Sequence, residues 1–110
     1  MVDEITIEEM MNRMPKAFLP DKAGDVEAVI QFHMTGAEPG DWIVRIGDGK
    51  CDVEKGVTDD ATMTLRADSQ DYKDIISGKL DPMTAFMQQK VKLTGNLNMA
   101  LGLTKYFKLT

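Results

Sequence analysis

The sequence predicts a two-layer α+β domain in which a five-stranded sheet, mixed or antiparallel, carries helices on one face only. Five segments alternate apolar and polar residues with a period of two, as strands with one apolar (dry) and one polar (wet) face do. Segments with helical spacing of apolar residues surround them, so the helices must cover the dry face. The 110 residues, 43% of them hydrophobic, suffice for one core, which predicts a single domain over residues 1–110.

The predicted strands are separated by turn-forming residues. They cover residues 26–34, 42–47, 50–55, 61–67 and 90–94. Asp48-Gly49, between the second and third strands, is a strong signal for a two-residue hairpin turn. The alternation in the first strand places Ile30 and Phe32 on the dry face, and Gln31 and His33 on the wet face.

Helices are predicted before and between the later strands. Thr6 and Glu9 form a capping-box pattern ahead of apolar residues at helical spacing, and Pro15 is expected to stop or kink this first helix. Asp81-Pro82 is a helix entry, with a carboxylate at the cap and proline at the first helical position. After a loop over 19–25, the later helices are predicted over 68–77, 81–89 and 96 to about 107.

The closing helix and the methionines raise the question whether protein side chains alone fill the interior. The apolar residues of the predicted closing helix cover more of its circumference than the stripe of about 100° that a surface helix shows. This helix therefore needs a second apolar neighbour: another helix, a dimer partner or a lipid. The chain has 9 methionines. Methionine lines surfaces that accept several shapes, but it also fills irregular cores, and both interpretations stay open here.

Charge and cysteine content exclude several classes of function. With 13 Lys and Arg against 18 Asp and Glu, the net charge is −5, which argues against a nucleic-acid partner and against electrostatic docking on anionic membranes. A single cysteine, Cys51, excludes an internal disulfide and a multi-cysteine zinc site. Neither a secretory signal nor an apolar run of about 20 residues is evident. We therefore expect a cytoplasmic protein.

The sequence contains no constellation of catalytic, metal-ligating or cofactor-binding residues. Cys51 is expected inside the sheet without a basic neighbour to lower the pKa of its thiol. His33, the single histidine, is expected on the wet face without an obvious carboxylate or hydroxyl partner. We therefore expect no enzymatic activity, no metal and no cofactor.

A motif in residues 78–100 resembles the type-2 sterol carrier proteins, also called non-specific lipid-transfer proteins. The positions that match the family pattern are Gly78, Lys79, Leu80, Pro82, Ala85, Phe86, Gln88, Lys90, Lys92, Gly95 and Ala100. Trp42 and the residues 48–51 look like the family's second strand and hairpin, and the resemblance extends over nearly the whole chain. Gln89 departs from it, because the family usually has glycine there, so the turn must take a form that a side chain tolerates.

The resemblance implies an apolar tunnel under the closing helix that binds a fatty acid, a fatty acyl-CoA, a sterol or another lipid. Gln88 would either bind a ligand head group or only cap its helix, and the hydroxyl of Tyr106 would hold a head group or face water. The expected lining residues are Ile30, Phe32, Trp42, Val44, Met63, Leu65, Met83, Phe86, Met87, Gln88, Leu97, Leu101, Leu103 and Phe107.

A second hypothesis is a protein-interaction or dimerisation module, or an accessory subunit of a lipid-metabolising enzyme, in which the closing helix packs on another protein. Transient contact with a membrane and a homodimer both remain open at this point.

Overall fold

The computed structural model describes residues 6–95 and Tyr106, and it confirms the predicted fold class: one five-stranded mixed sheet with helices packed on its dry face. The elements are α1 (Ile7–Ala17), α2 (Pro20–Ala23), β1 (Ala28–Thr35), β2 (Gly40–Gly47), β3 (Lys50–Lys55), β4 (Met63–Asp68), α3 (Ser69–Ile76), α4 (Pro82–Met87) and β5 (Val91–Gly95). None of the helices among these residues is long and apolar enough to cross a lipid bilayer.

The strands lie in the order β3-β2-β1-β4-β5. β1 and β4 run parallel, and the other three neighbouring pairs are antiparallel. β3 has the predicted bounds, whereas β1 and β4 each begin two residues later than the alternation predicted. The hairpin at Asp48-Gly49 is confirmed: both residues have left-handed backbone angles (φ 53° and 73°), as the two-residue turn that fits the strand twist requires.

α1 continues through Pro15, so Pro15 does not stop this helix, and the alternative that it kinks the helix stays a prediction. Proline removes one N–H, the one that would bond to the carbonyl of Met11, and it costs about 3 kcal/mol in a helix interior. Here it stands in the last turn, and the residues around it, Met14 and Phe18, are buried in the core. Their packing holds the backbone helical where the local rule predicts an end.

The connection after α1 is also more ordered than predicted. Residues 20–23 of the expected loop form α2, which begins with Pro20 at a position where the missing N–H costs nothing. α2 ends at Gly24, whose N–H donates to the Pro20 carbonyl at 3.0 Å. Ala23 is buried, so α2 closes one end of the core.

The wet face of the sheet has one buried region that the alternation did not predict. Gln31 and Ile43 are both buried there, beneath the connection between β3 and β4. The Gln31 amide nitrogen donates to the carbonyls of Trp42 (3.0 Å) and Gly56 (2.9 Å), and its oxygen accepts from the Thr58 N–H at 2.7 Å. Gln31 is buried because it supplies these partners to the connection.

Candidate functional site

The predicted dry-face residues form two continuous rows across the three central strands. The first row is Trp42, Phe32 and Leu65, and the second is Val44, Ile30 and Met63. All six side chains are at most 8% exposed. The rows extend outward through Val53 on β3 and Leu93 on β5, which are half-buried. The structure therefore brings together all six sheet residues that the sequence selected.

Tyr72 on α3 covers the first row, and the sequence analysis did not select it. Its ring meets Phe32 edge-on, with 5.8 Å between ring centroids and 80° between ring planes. Burial raises the pKa of the Tyr72 phenol well above its usual range. Tyr72 stands three residues before Ile75 and four before Ile76, so helical spacing was the signal that could have identified it.

The predicted α4 residues do not join these rows. Met83, Phe86 and Met87 are 52%, 40% and 76% exposed, and we call these three side chains the α4 patch. Ala85 is the residue of α4 that is fully buried. Gln88 lies exposed at the C-cap, and its side chain makes no hydrogen bond among the described residues. The alternative that Gln88 bonds a head group stays a prediction.

Hydrogen bonds cap α4 at both ends. At its start, the Asp81 carboxylate accepts from the Thr84 N–H at 3.0 Å, as predicted from Asp81-Pro82. At its end, Gln89 N–H donates to the Phe86 carbonyl (3.1 Å) and Lys90 N–H to the Ala85 carbonyl (2.9 Å). These two bonds make a Schellman ending, which needs a left-handed residue.

Gln89 is that left-handed residue, with φ 62°. The turn therefore keeps the conformation that glycine prefers, and the side chain is accommodated at a cost of about 1 kcal/mol. Glutamine in place of the family's usual glycine therefore raises the energy of this turn but leaves its backbone conformation unchanged.

The structure describes one residue of the closing segment, Tyr106. Tyr106 is helical, packs against the core and accepts a hydrogen bond from Leu19 N–H on its carbonyl at 2.7 Å. The predicted helix over 96 to about 107 otherwise lies outside the described residues, as do four of the predicted lining residues: Leu97, Leu101, Leu103 and Phe107.

Glu38, in the β1–β2 connection, joins two helices, and no sequence pattern indicated it. Its carboxylate accepts from Ile7 N–H at 2.7 Å and forms an ion pair with Lys73 of α3. Its own N–H donates to the buried Ser69 hydroxyl at 3.2 Å. The Lys73 ammonium and the Ile7 N–H lower the pKa of the Glu38 carboxyl. Glu38 thereby ties the start of α1 to α3.

The reactive side chains lie apart from the two rows. His33 Nδ1 lies 2.5 Å from Asp41 Oδ1, its cross-strand neighbour on the wet face, so the expectation that His33 lacks a carboxylate partner was wrong. Burial, with Asp52 beside it, raises the pKa of the Cys51 thiol to about 11, so the thiol keeps its proton at neutral pH. Residues 6–95 contain no group of three or more His, Cys, Asp or Glu that could hold a metal ion.

Two clefts lined by described residues have walls that mix charged and apolar side chains. One, of about 420 Å³, lies beside the 48–49 hairpin and includes Arg45 and Asp52. The other, of about 430 Å³, lies at the start of α1 and includes Glu8, Glu38 and Trp42. Neither has the apolar lining of the tunnel that the family resemblance implies, so the tunnel stays a prediction.

The comparison with protein families gives a match over nearly the whole chain. The model of the SCP-2 sterol transfer family matches residues 7–108. Hydroxysteroid dehydrogenase-like protein 2 of Xenopus laevis is 28% identical over 104 residues, which are 94% of this chain and 25% of that protein. Human sterol carrier protein 2 is 32% identical over 68 residues, 62% of this chain and 12% of the relative. The chain thus spans about a quarter of the dehydrogenase-like relative, and less of the human carrier.

Solved structures share the fold. Sterol carrier protein 2 like 2 of Aedes aegypti has a TM-score of 0.71 at 26% identity, with 88% of each chain covered. A palmitated form of that protein has a TM-score of 0.72 at 27% identity, covering 90% of this chain and 91% of that one. The sec-alkylsulfatase PisA1 of a Pseudomonas species shows the fold alone, with a TM-score of 0.81 at 18% identity over 96% of this chain and 17% of that one.

Proposed function

This chain belongs to the SCP-2 sterol transfer family, and we propose that it binds an apolar ligand, an acyl chain or a polycyclic lipid, between the dry face of its sheet and its helical layer. One observation carries the proposal: six apolar side chains form two unbroken rows over three strands of that face. The Aedes aegypti relative solved in a palmitated form supports an acyl chain as the ligand class.

The helical cover over the rows consists of several short pieces. α1 packs against β3, α3 against β4 and α4 against β5. Tyr106, further along the chain, is joined to this layer by the hydrogen bond from Leu19 N–H to its carbonyl. In the proposed site, the sheet rows form the floor and Leu97, Leu101, Leu103 and Phe107 complete the roof. A cover made of separate short pieces can move apart around a ligand at lower cost than one long helix.

The α4 patch forms the mouth of the proposed site. Phe86 is the least exposed of its three side chains, and Met83 and Met87 stand further out. Gln88 follows them, and its amide, which has no hydrogen-bond partner within residues 6–95, can donate to or accept from an oxygenated head group. A chain entering beside α4 would pass the patch and reach the rows, with its head group left at Gln88.

The energetics favour long or bulky ligands over short ones. Burying ten methylenes contributes roughly 8 kcal/mol at about 0.8 kcal/mol each, and association costs on the order of 4–15 kcal/mol. Binding near the micromolar range therefore needs a long chain or a sterol-sized body. Because apolar area supplies the energy, the site selects by length and bulk, and no bond is made or broken in the ligand.

The direct test is uptake of a fluorescent fatty acid by the purified chain. We expect Phe86→Asp to abolish uptake, because a charge at the mouth opposes entry of an acyl chain. Val57→Asp is the matched control: Val57 is also apolar and 65% exposed, but it lies on the β3–β4 connection. Both variants should retain the parent melting temperature. If folded Phe86→Asp takes up as much fatty acid as the parent chain, the α4 patch is not the mouth of the site. If the parent chain takes up none, the proposed function is contradicted.

A second candidate is an interaction module within a larger protein. It is favoured by the chain's match to only 25% of its dehydrogenase-like relative and 17% of the alkylsulfatase chain. In that case α4 and the closing segment would cover a neighbouring protein. Native mass spectrometry separates the two candidates, because a dimer without bound lipid supports the module and a lipid-bearing monomer supports the carrier.

A further inference from the structure

Tyr72 carries a hydroxyl that has no hydrogen-bond partner in the part of the chain that the structure describes. The side chain is 7% exposed, and its ring meets Phe32 edge-on. We propose that the Tyr72 hydroxyl is a polar anchor inside the lipid site, where it bonds a neutral oxygen, a hydroxyl or a ketone, carried partway along an acyl chain. This inference rests on the proposed function and deepens it, because it adds a chemical preference to selection by length and bulk.

The Tyr72 hydroxyl borders space that a small group can reach. Each side-chain nitrogen or oxygen that is wholly inaccessible within the described residues has a hydrogen-bond partner. The Tyr72 hydroxyl lacks a partner among these residues, so it keeps some accessible surface although the residue as a whole is buried. Tyr72 covers the first row, so a ligand that lies on this row meets the hydroxyl.

The first row offers the Tyr72 hydroxyl no acceptor. Phe32 and Leu65 have no polar side-chain atom, and the indole nitrogen of Trp42, the third member of the row, only donates. Burial raises the pKa of the Tyr72 phenol well above its usual range, so the phenol keeps its proton and can donate it. A ligand oxygen would supply the acceptor that the row lacks.

Packing of the ring does not account for the hydroxyl. Phenylalanine would give the same edge-on contact with Phe32 and would bury no polar group. A hydroxyl that is removed from water without a hydrogen bond destabilises the folded chain. The hydroxyl of Tyr72 therefore contributes more to binding an oxygenated ligand than to the fold.

The surroundings of Tyr72 favour a neutral oxygen over a carboxylate. Burying a carboxylate without a counter-charge has a large desolvation penalty. The next residue, Lys73, already forms an ion pair with Glu38, and the six side chains of the two rows are uncharged. The carboxylate of a fatty acid therefore stays at the mouth, and the oxygen at Tyr72 belongs to its chain.

The sheet topology indicates where along the acyl chain this oxygen must lie. The proposed mouth is beside β5, whereas Tyr72 contacts Phe32 on β1, and β4 lies between these two strands. Two strand spacings amount to about 10 Å. An oxygen next to the carboxylate would remain at the mouth, so the preferred oxygen is near the middle of the chain.

The first experiment measures displacement of the fluorescent fatty acid from the parent chain by three fatty acids of equal length. One is unsubstituted, one has a hydroxyl at mid-chain, and one has a hydroxyl beside the carboxylate. We expect the mid-chain hydroxy acid to bind about fivefold more tightly than the unsubstituted acid, because it gains one hydrogen bond. The acid with its hydroxyl beside the carboxylate is the matched ligand control and should bind like the unsubstituted acid.

A second experiment repeats the measurement with Tyr72→Phe, which removes the hydroxyl, keeps the ring and should retain the parent melting temperature. In this variant the mid-chain hydroxy acid should bind about tenfold more weakly than the unsubstituted acid, because its hydroxyl leaves water without a partner. A mid-chain keto acid, whose oxygen only accepts, should lose affinity in the same way. Tyr106→Phe removes the other tyrosine hydroxyl of the chain and is the matched control, which should leave the ratio of the affinities unchanged.

The outcomes separate the anchor from the proposed function. If the ratio of affinities for the hydroxy and unsubstituted acids is the same in the parent chain and in Tyr72→Phe, the anchor is refuted, while binding of the unsubstituted acid leaves the proposed function standing. If the parent chain binds the mid-chain hydroxy acid more weakly than the unsubstituted acid, the anchor is also refuted, and this comparison does not depend on the folding of a variant. If the parent chain binds none of the acids, the proposed function is contradicted and the anchor with it.

Discussion

α1 and α4 begin in similar ways and end in opposite environments. Each starts with a side chain that bonds the backbone of the first turn, Thr6 in α1 and Asp81 in α4. Each has methionines on one helical face. In α1, Met11 is 0% exposed within the core, whereas Met87 of α4 is 76% exposed.

The difference shows that helical spacing identifies a face but not what covers it. α1 lies over the sheet, and its apolar stripe meets the dry face. α4 is held beside the edge strand β5, where only small Ala85 fits into the contact. Methionine therefore occupies two environments in this molecule: in α1 it fills the core, and in α4 it lies exposed at the surface.

The largest expected difference between the two helices is in stability. Met11→Ala should lower the free energy of unfolding by about 2–5 kcal/mol, because it leaves a cavity in the core. Met87→Ala should change it by less than about 0.5 kcal/mol. Urea unfolding of both variants measures this. Similar losses would mean that α4 packs as tightly as α1, which would contradict the comparison.

Glu38 should stabilise α1 in a way that α4 lacks. Glu38→Gln keeps an acceptor for Ile7 N–H but leaves the partly buried Lys73 without its counter-charge. We expect a loss of about 1–3 kcal/mol near neutral pH. Lys92→Gln removes an exposed charge of β5 that has no ion-pair partner among the described residues; it is the control and should have little effect on unfolding.

The effect of Glu38 should depend on pH in a defined direction. Its folded-state pKa lies below the ordinary value of 4.5. The stabilisation is therefore present above about pH 4.5 and is lost as the pH falls through the folded-state pKa. The difference between the parent chain and Glu38→Gln should be constant from neutral pH to weakly acidic pH and shrink below that. A difference that grew on acidification would refute this role.

The two N-caps should contribute equally, despite the unequal burial of their helices. Thr6→Ala and Asp81→Ala each remove a side-chain acceptor from a backbone N–H of the first turn. Each should lower the free energy of unfolding by about 1 kcal/mol. Thermal unfolding checks both variants. A clearly larger effect at Asp81 would show that α4 depends on its cap to stay folded against β5.

The smallest expected effect is a gain at the end of α4. Gln89→Gly should raise stability by about 0.5–1 kcal/mol, because it relieves a left-handed side-chain residue. Gln88→Gly, at the right-handed C-cap beside it, should not stabilise and serves as the control. A loss at Gln89→Gly would show that the Gln89 side chain makes a contact worth more than the strain.

The sheet could be predicted because strand alternation is local. Period-two patterning placed Ile30, Phe32 and their neighbours on one face, and Asp48-Gly49 set the hairpin. Burial on the other face could not be predicted in this way. Gln31 is buried because a distant connection folds over it, and that contact leaves no trace in the pattern of β1 itself.

Three further outcomes depended on contacts distant in sequence. Pro15 continues a helix because the core around Met14 and Phe18 holds it. Glu38 lies 31 residues from Ile7 and 35 from Lys73, so no local signal marks it. Helical spacing placed the α4 patch on one face of the helix, but its exposure follows from where α4 packs. Residue propensity and the period of apolar residues describe single helices and strands, whereas these three outcomes result from contacts between them.

The most direct test of the central claim uses the methionine methyl groups as probes in NMR. We predict that adding a long-chain fatty acid shifts the signals of Met63 on the sheet and of Met83 and Met87 at the mouth, while Met10 on α1 stays near its original position. The methyl signals of Met63, Met83 and Met87 should not shift when the added fatty acid is too short to reach the rows. Unchanged Met63 and α4 signals at saturating long-chain fatty acid would contradict a ligand site between the sheet and its helical layer.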